Sequence, residues 1–169
     1  WINCINVDGG QIGSSTGADG AVSFSRDPGT YSVVVNTEDA DLPLGAMPTT
    51  PESQDVVLDH GETQNVYFGF LPAGTIHAHV FNDYDGDGIQ DVGEPGLPDI
   101  RVDVSSGAYG SSDADGDVVF SEPPGSYTAT VDTEDADIPP GAVLTTEQSQ
   151  SVSVTAGGTE HVYFGFDTT

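Results

Sequence analysis

Lysine is absent from this 169-residue chain, whose two basic residues are Arg26 and Arg101 against 28 aspartates and glutamates, for a formal net charge of −26. Nucleic acid and anionic membrane surfaces reward lysine and arginine and repel carboxylates, so both are excluded as partners. A lysine–asparagine isopeptide cross-link within the chain is excluded for want of the lysine. Cysteine occurs once, at Cys4, which rules out an internal disulfide. Two readings of Cys4 stay open: a small buried hydrophobe, or an intermolecular link. No apolar run approaches the roughly 18–20 residues that a membrane helix needs, so we expect no membrane insertion. There is no signal-peptide pattern and no LPxTG-type anchor; the LPAGT at 71–75 has its glycine and threonine in the wrong order. A mature protein, or a piece of one, is therefore expected. Catalytic signatures are missing too: no G-x-S-x-G, no H-E-x-x-H and no phosphate-cradling loop closed by lysine, so we expect a non-enzyme.

What is present is acid, glycine and β-forming residues. Self-repulsion at this charge opposes compaction, so high salt or bound multivalent cations should neutralise it. The 22 glycines and 11 prolines, with frequent Thr, Val and Tyr, suit short strands joined by tight turns.

The strongest organisational signal is an internal repeat. Residues 17–70 align without gaps onto residues 113–166, with about 30 identities in 54 positions. Upstream, INVD at 5–8 pairs with IRVD at 100–103 after a one-residue slip, which gives a repeat of about 96 residues, the size of one β-sandwich domain. The second copy opens with TIHAHVFNDYDGDGIQDVGEPGLPD, and the first has no counterpart of that strand and loop. We therefore expect two domains: 1–71, an N-terminally incomplete first repeat, and 72–169, a complete second repeat.

Alternation identifies the strands. Ile76, Ala78 and Val80 alternate with His77 and His79, and Ile100, Val102 and Val104 alternate with Arg101 and Asp103. Val118 with Phe120, Tyr127 through Val131, Val152 with Val154, and Val162 through Phe166 supply the remaining inward faces, while no stretch shows a helical stripe. Roughly seven short strands in about 95 residues predict an all-β fold of two tandem Ig-like sandwiches, the first lacking its opening strand and loop. The joint at Leu71–Gly74 is too short for free tumbling, which predicts a stiff pair.

Residues 83–94, DYDGDGIQDVGE, match D-x-[DN]-x-[DN]-G-x5-E at every specified position. Calcium is a hard cation that takes about six to eight oxygens, and a tight loop turns alternate side chains inward to supply them. Asp83, Asp85 and Asp87 would stand at positions 1, 3 and 5, with Gly88 allowing the sharp turn at position 6. The Ile89 backbone carbonyl, Asp91 and Glu94 would complete the set at positions 7, 9 and 12. The loop is not part of a helix–loop–helix. A strand pattern precedes it, and Pro95, Gly96 and Pro98 follow.

Two weaker acidic groups follow this motif. Asp113, Asp115 and Asp117 form a D-x-D-G-D turn with no glutamate at the twelfth position, and Glu134, Asp135 and Asp137 lie in a later loop. Together they offer a second, weaker ion site, although a solvated loop explains them as well. His77 and His79 share one strand face without an evident third ligand, so sheet decoration is the plainer reading.

The runs VFNDYDGDGIQDVGEPGLPDIRVDV, DADGDVVFSEPPGSYTATVDT and TAGGTEHVYFGF resemble the B-type repeat domain of SD-repeat bacterial surface proteins. The resemblance implies an extracellular, calcium-binding, Ig-like sandwich of the prealbumin or Cna-B-like kind, used in tandem in the stalks of adhesins at the cell surface. It also implies calcium ligands at Asp83, Asp85, Asp87, Asp91 and Glu94 with the Ile89 carbonyl. The expected function is a calcium-rigidified structural repeat of a surface stalk or fibre, with neighbouring copies of the repeat or chain as partners. In a sharper version a neighbour completes the first domain by strand addition, giving head-to-tail assembly with Trp1 and Cys4 at an inter-chain contact; the plainer reading is an excerpt of a longer polypeptide whose preceding residues are absent, which needs no such donation. The alternative is an adhesin module that binds a glycan or matrix protein in a calcium-dependent way.

Overall fold

The computed structural model describes residues 2–6 and 10–169, the first of these segments through its backbone pairing alone. Two compact units divide at the joint, Trp1–Leu71 and Pro72–Thr169. All described elements are strands. The first unit contains β1 (Ile2–Asn6), β2 (Gln11–Ser14), β3 (Gly29–Val35), β4 (Met47–Pro48), β5 (Ser53–Leu58) and β6 (Phe70–Leu71). The second contains β7 (Gly74–Asn82), β8 (Arg101–Val104), β9 (Tyr109–Ser111), β10 (Asp117–Glu122), β11 (Gly125–Val131), β12 (Val143–Leu144), β13 (Ser149–Val154) and β14 (Thr159–Asp167).

The second unit is a sandwich of two four-stranded sheets, ordered β10-β7-β14-β12 and β13-β11-β8-β9. This is the all-β sandwich that the alternation predicts. Strand β7 is central to the first sheet, antiparallel to β10 and parallel to β14. Its inward residues Ile76, Ala78 and Val80 are fully buried against Val102, Ala129, Val131 and Phe164 of the common core. Strands β9 and β12 are short and mostly exposed, so alternation does not reveal them. At the far end of β7 two glycines let backbones meet. A side-chain carbon on Gly116 (φ +90°) would stand 2.3 Å from the Val80 carbonyl oxygen, and one on Gly96 would stand 1.9 Å from that of Asp115.

The first unit repeats one sheet of this sandwich, with order β2-β1-β3-β5. Strands β3 and β5 pair in the same relative register as β11 and β13, Tyr31 opposite Val56 as Tyr127 is opposite Val152. The other sheet is reduced to the two-residue pair β4–β6. Segments 21–26 and 63–69, the repeats of β10 and most of β14, are not in strands. The physical reason is that both of those strands hydrogen-bond to β7 in the second unit, and residues 10–71 contain no repeat of β7. Side chains that are buried in the second unit are consequently only half-buried here: Val22, Phe24, Val66 and Phe68 against Val118, Phe120, Val162 and Phe164.

Strand β1 departs from the repeat alignment. Ile2 stands opposite Val35, whereas Val102, which the alignment matches to Val7, stands opposite Val131 in the second unit. Trp1 lies outside the described residues. Cys4 is described only by its backbone, paired with Ile12 and Val33.

Candidate metal centre

The acidic loop hangs from the end of β7 and is tied at both ends. The Asp83 N–H donates to the Phe166 carbonyl at 2.9 Å, which carries the β7–β14 pairing one residue beyond Asn82. The Asn82 N–H donates to the Pro95 carbonyl at 2.9 Å and closes the loop on itself. Its floor comes from the distant 145–146 segment and Gly165. A side-chain carbon on Gly165 would stand 2.6 Å from Thr145 Oγ1 and 3.1 Å from Asp83 Cβ.

Asp83 is the buried centre of this loop, with none of its surface exposed. Its Oδ1 accepts the Gly86 N–H and its Oδ2 accepts the Gly88 N–H, each at 2.8 Å. Gly86 and Gly88 have φ of +73° and +80°, the left-handed turns that aim those N–H groups inward. Burial pushes the Asp83 carboxyl up, but the Thr145 hydroxyl and the N–H groups of Gly88, Gly86 and Asp87 outweigh it and hold the group below the ordinary carboxylate range. Asp85 moves the other way. The Asp87 N–H favours its charge, but desolvation and the carboxylates of Asp87, Glu94 and Asp83 together raise it.

Asp83, Asp85 and Asp87 each bring a carboxylate oxygen within 4.8 Å of the others, the one such grouping among the described residues. Arg101 is paired with Asp103 at 2.7 Å, and none of the described ion pairs reaches the loop. Three mutually repelling carboxylates, one of them buried, with hard oxygen donors throughout, fit a divalent cation of the calcium type. The other sequence-predicted ligands stand outside this grouping. The Glu94 carboxylate is buried but turned onto the loop backbone, accepting the Tyr84 and Asp91 N–H groups at 2.7 Å each. The Asp91 side chain and Ile89 are exposed, and the Ile89 N–H donates to Asp87 Oδ1 at 2.8 Å.

The weaker acidic groups serve local structure. Asp113 Oδ1 accepts the N–H groups of Asp115 and Asp117 at 2.9 and 3.0 Å and caps the turn into β10. Asp117 faces His79 and His77. Asp135 accepts the Arg101 and Asp137 N–H groups, both at 3.0 Å, while Glu134 and Asp137 are exposed. What sequence reasoning missed is the floor: Thr145 and Gly165 lie some sixty to eighty residues beyond Asp83, and no local pattern links them to it.

No family model matches the chain. The chain is 30% identical over 166 residues to the serine-aspartate repeat-containing protein E of Staphylococcus aureus, in strains USA300 and Newman alike; the match covers 82% of this chain and 14% of that protein's length. The resemblance to SD-repeat surface proteins read from the repeat motifs is thus borne out by a homologue. The extracellular, cell-surface location expected with that resemblance agrees with this relationship. Among solved structures, the minor pilin of Streptococcus agalactiae superposes with a TM-score of 0.43 at 11% identity, over 83% of this chain and 60% of that one. A streptococcal ancillary pilin gives 0.40 at 15% identity, over 97% and 56%. Superpositions this loose carry no argument, and the sandwich assignment rests on the sheets themselves. No helix among the described residues is long and apolar enough to cross a membrane.

Proposed function

We propose that the chain is a calcium-rigidified structural repeat of an extracellular stalk or fibre, without enzymatic activity. The observation that carries this reading is the Asp83–Asp85–Asp87 cluster, three carboxylates within 4.8 Å of one another with one fully buried, at the exit of the central strand. Asp83, Asp85 and Asp87 would hold the ion, with the Ile89 carbonyl, Asp91 and Glu94 completing its shell when the loop closes on it. The ion supplies charge neutralisation and nothing catalytic. Bound only by the folded state, at about a hundredfold over its dissociation constant, it adds roughly 2.7 kcal/mol. Calorimetric titration with calcium tests the assignment: one site per chain that is lost in Asp87→Ala supports it, and equal heats from both proteins contradict it.

The same reading extends to assembly. The first unit carries a cleft of about 1140 Å³ with a mixed polar and apolar lining, whose apolar side includes Val22, Phe24, Val33, Val35, Val56 and Phe68. Their repeats in the second unit pack around β7. A strand of the β7 type from a neighbouring copy would fill this cleft, complete the second sheet and join copies head to tail. A synthetic peptide of residues 74–82 should bind the chain and raise its lower thermal transition. A peptide that leaves the melt unchanged at millimolar concentration counts against complementation.

A further inference from the structure

The outer face of the β10–β7–β14 sheet gathers three imidazoles and one carboxylate, two of the imidazoles against the carboxylate itself. His77 on β7 stands opposite His161 on β14, and His79 stands opposite Asp117 on β10. The His77 and His161 Nδ1 atoms are 3.1 Å apart, with ring planes at 70°. On its other side His77 Nε2 lies 3.0 Å from Asp117 Oδ1, which His79 Nδ1 also meets at 2.6 Å.

We propose that His77 and His161 form a binding site for a late first-row divalent metal ion of the copper, nickel or zinc class, with Asp117 as the positioning residue for His77.

Tautomers decide the argument. Asp117 Oδ1 beside Nε2 favours the Nε2–H tautomer of neutral His77, whose Nδ1 then accepts the Nδ1–H of His161 across the 3.1 Å contact, a place a metal ion takes over once His161 carries its proton on Nε2. A histidine whose distal N–H is held by a carboxylate while the other nitrogen faces outward is the arrangement found around protein metal ions. The spacing agrees. Two imidazole nitrogens bound about 2.0–2.1 Å from one ion stand about 2.9–3.4 Å apart for right-angle to tetrahedral geometry, and 3.1 Å falls inside that interval. Pairing on adjacent strands fixes both histidines on a packed sheet rather than on a loop.

Donor chemistry sets the class of ion. Imidazole nitrogens suit copper, nickel and zinc, whereas calcium takes oxygen, so this site and the acidic loop should not compete. His79 is not a ligand: its Nδ1 is committed to Asp117, and its Nε2 is buried without a hydrogen-bond partner. Asp117 Oδ1 thereby meets two imidazoles, His79 at 2.6 Å and His77 at 3.0 Å. The side chain of His77 is 28% exposed and His161 lies open, so water can fill the remaining coordination positions. The net charge of −26 adds a field that concentrates cations at the surface.

Copper(II) added to the calcium-saturated full chain is the test, read by paramagnetic resonance and by titration. The expected result is one equivalent bound, with superhyperfine structure from two nitrogens. His77→Gln and His161→Gln should each lower affinity at least tenfold, and His60→Gln, in the other unit, should leave it unchanged. Asp117→Asn should cost about tenfold and yet keep the two-nitrogen signature at saturating copper. Oxygen-only coordination, affinity indifferent to His77→Gln and His161→Gln, or no binding by the unaltered chain overturns the proposal. The substituted side chains lie on the outer sheet face, and near-ultraviolet dichroism of each variant confirms that it is folded before the titration is read.

Discussion

Asp83 Oδ2 accepts the N–H of Gly88 at 2.8 Å, locking the first loop position to the sixth. This bond exists only because Gly88 turns at φ +80°, where an L side chain is strained. The loop is therefore wound around the carboxylate of Asp83 by its own backbone, and Asp85 and Asp87 are delivered to the same place by chain geometry.

Gly88→Ala is the direct probe of that winding. The nearest atom to an added carbon is Thr146 Cγ2 at 3.6 Å, so the cost is conformational rather than steric. We expect about 1–2 kcal/mol of destabilisation and calcium affinity lowered by about tenfold, read by urea melts in chelator and by calorimetry.

Acid should loosen the same loop. The Asp83 carboxyl is held below its ordinary range when folded, so its contribution is complete above the unfolded carboxylate value and disappears as pH falls through the lowered folded value. In chelator, stability should drop across that acidic window, and Asp83→Asn should flatten the drop. A pH profile of denaturant midpoints for the two proteins checks this.

The two units should respond unequally to matching core truncations. Phe164 is fully buried, whereas its repeat Phe68 borders the open cleft. Phe164→Ala should cost about 3–5 kcal/mol, and Phe68→Ala clearly less, in chemical melts resolved for each unit. Equal costs would mean that the first unit has a closed core.

Among the hydrogen bonds that recur in both repeats is a local one spanning four residues. Tyr31 Oη donates to the Asp27 carbonyl at 2.7 Å, and Tyr127 Oη to that of Pro123 at 2.8 Å. Each Tyr→Phe substitution should cost about 1 kcal/mol, measured by urea unfolding.

The sequence announces those parts whose physics is local. Alternation at Ile76, Ala78 and Val80 marks a half-buried strand because successive side chains point to opposite faces, and the DYDGDG spacing marks the loop because its turn chemistry lies within six residues. Strands β9 and β12 escape notice because they are two or three residues long and largely exposed. The Asp117–His77–His161 group escapes for another reason. Its members come from three strands, and only the register, His77 opposite His161 and Asp117 opposite His79, brings them together. Read along β7 alone, His77 has no third partner in view. The five-residue difference between the β1 pairing and the repeat alignment has no explanation in the described contacts.

Thermal melting of the full chain with millimolar calcium and with excess chelator tests the central claim most directly. A ~100-residue unit gains roughly 4–8 °C per kcal/mol. Calcium should therefore raise the transition of the second unit by about 10 °C or more, reversibly, and the rise should vanish in Asp87→Ala. Identical melts in calcium and chelator would contradict the account and leave the loop an acidic turn with no structural ion.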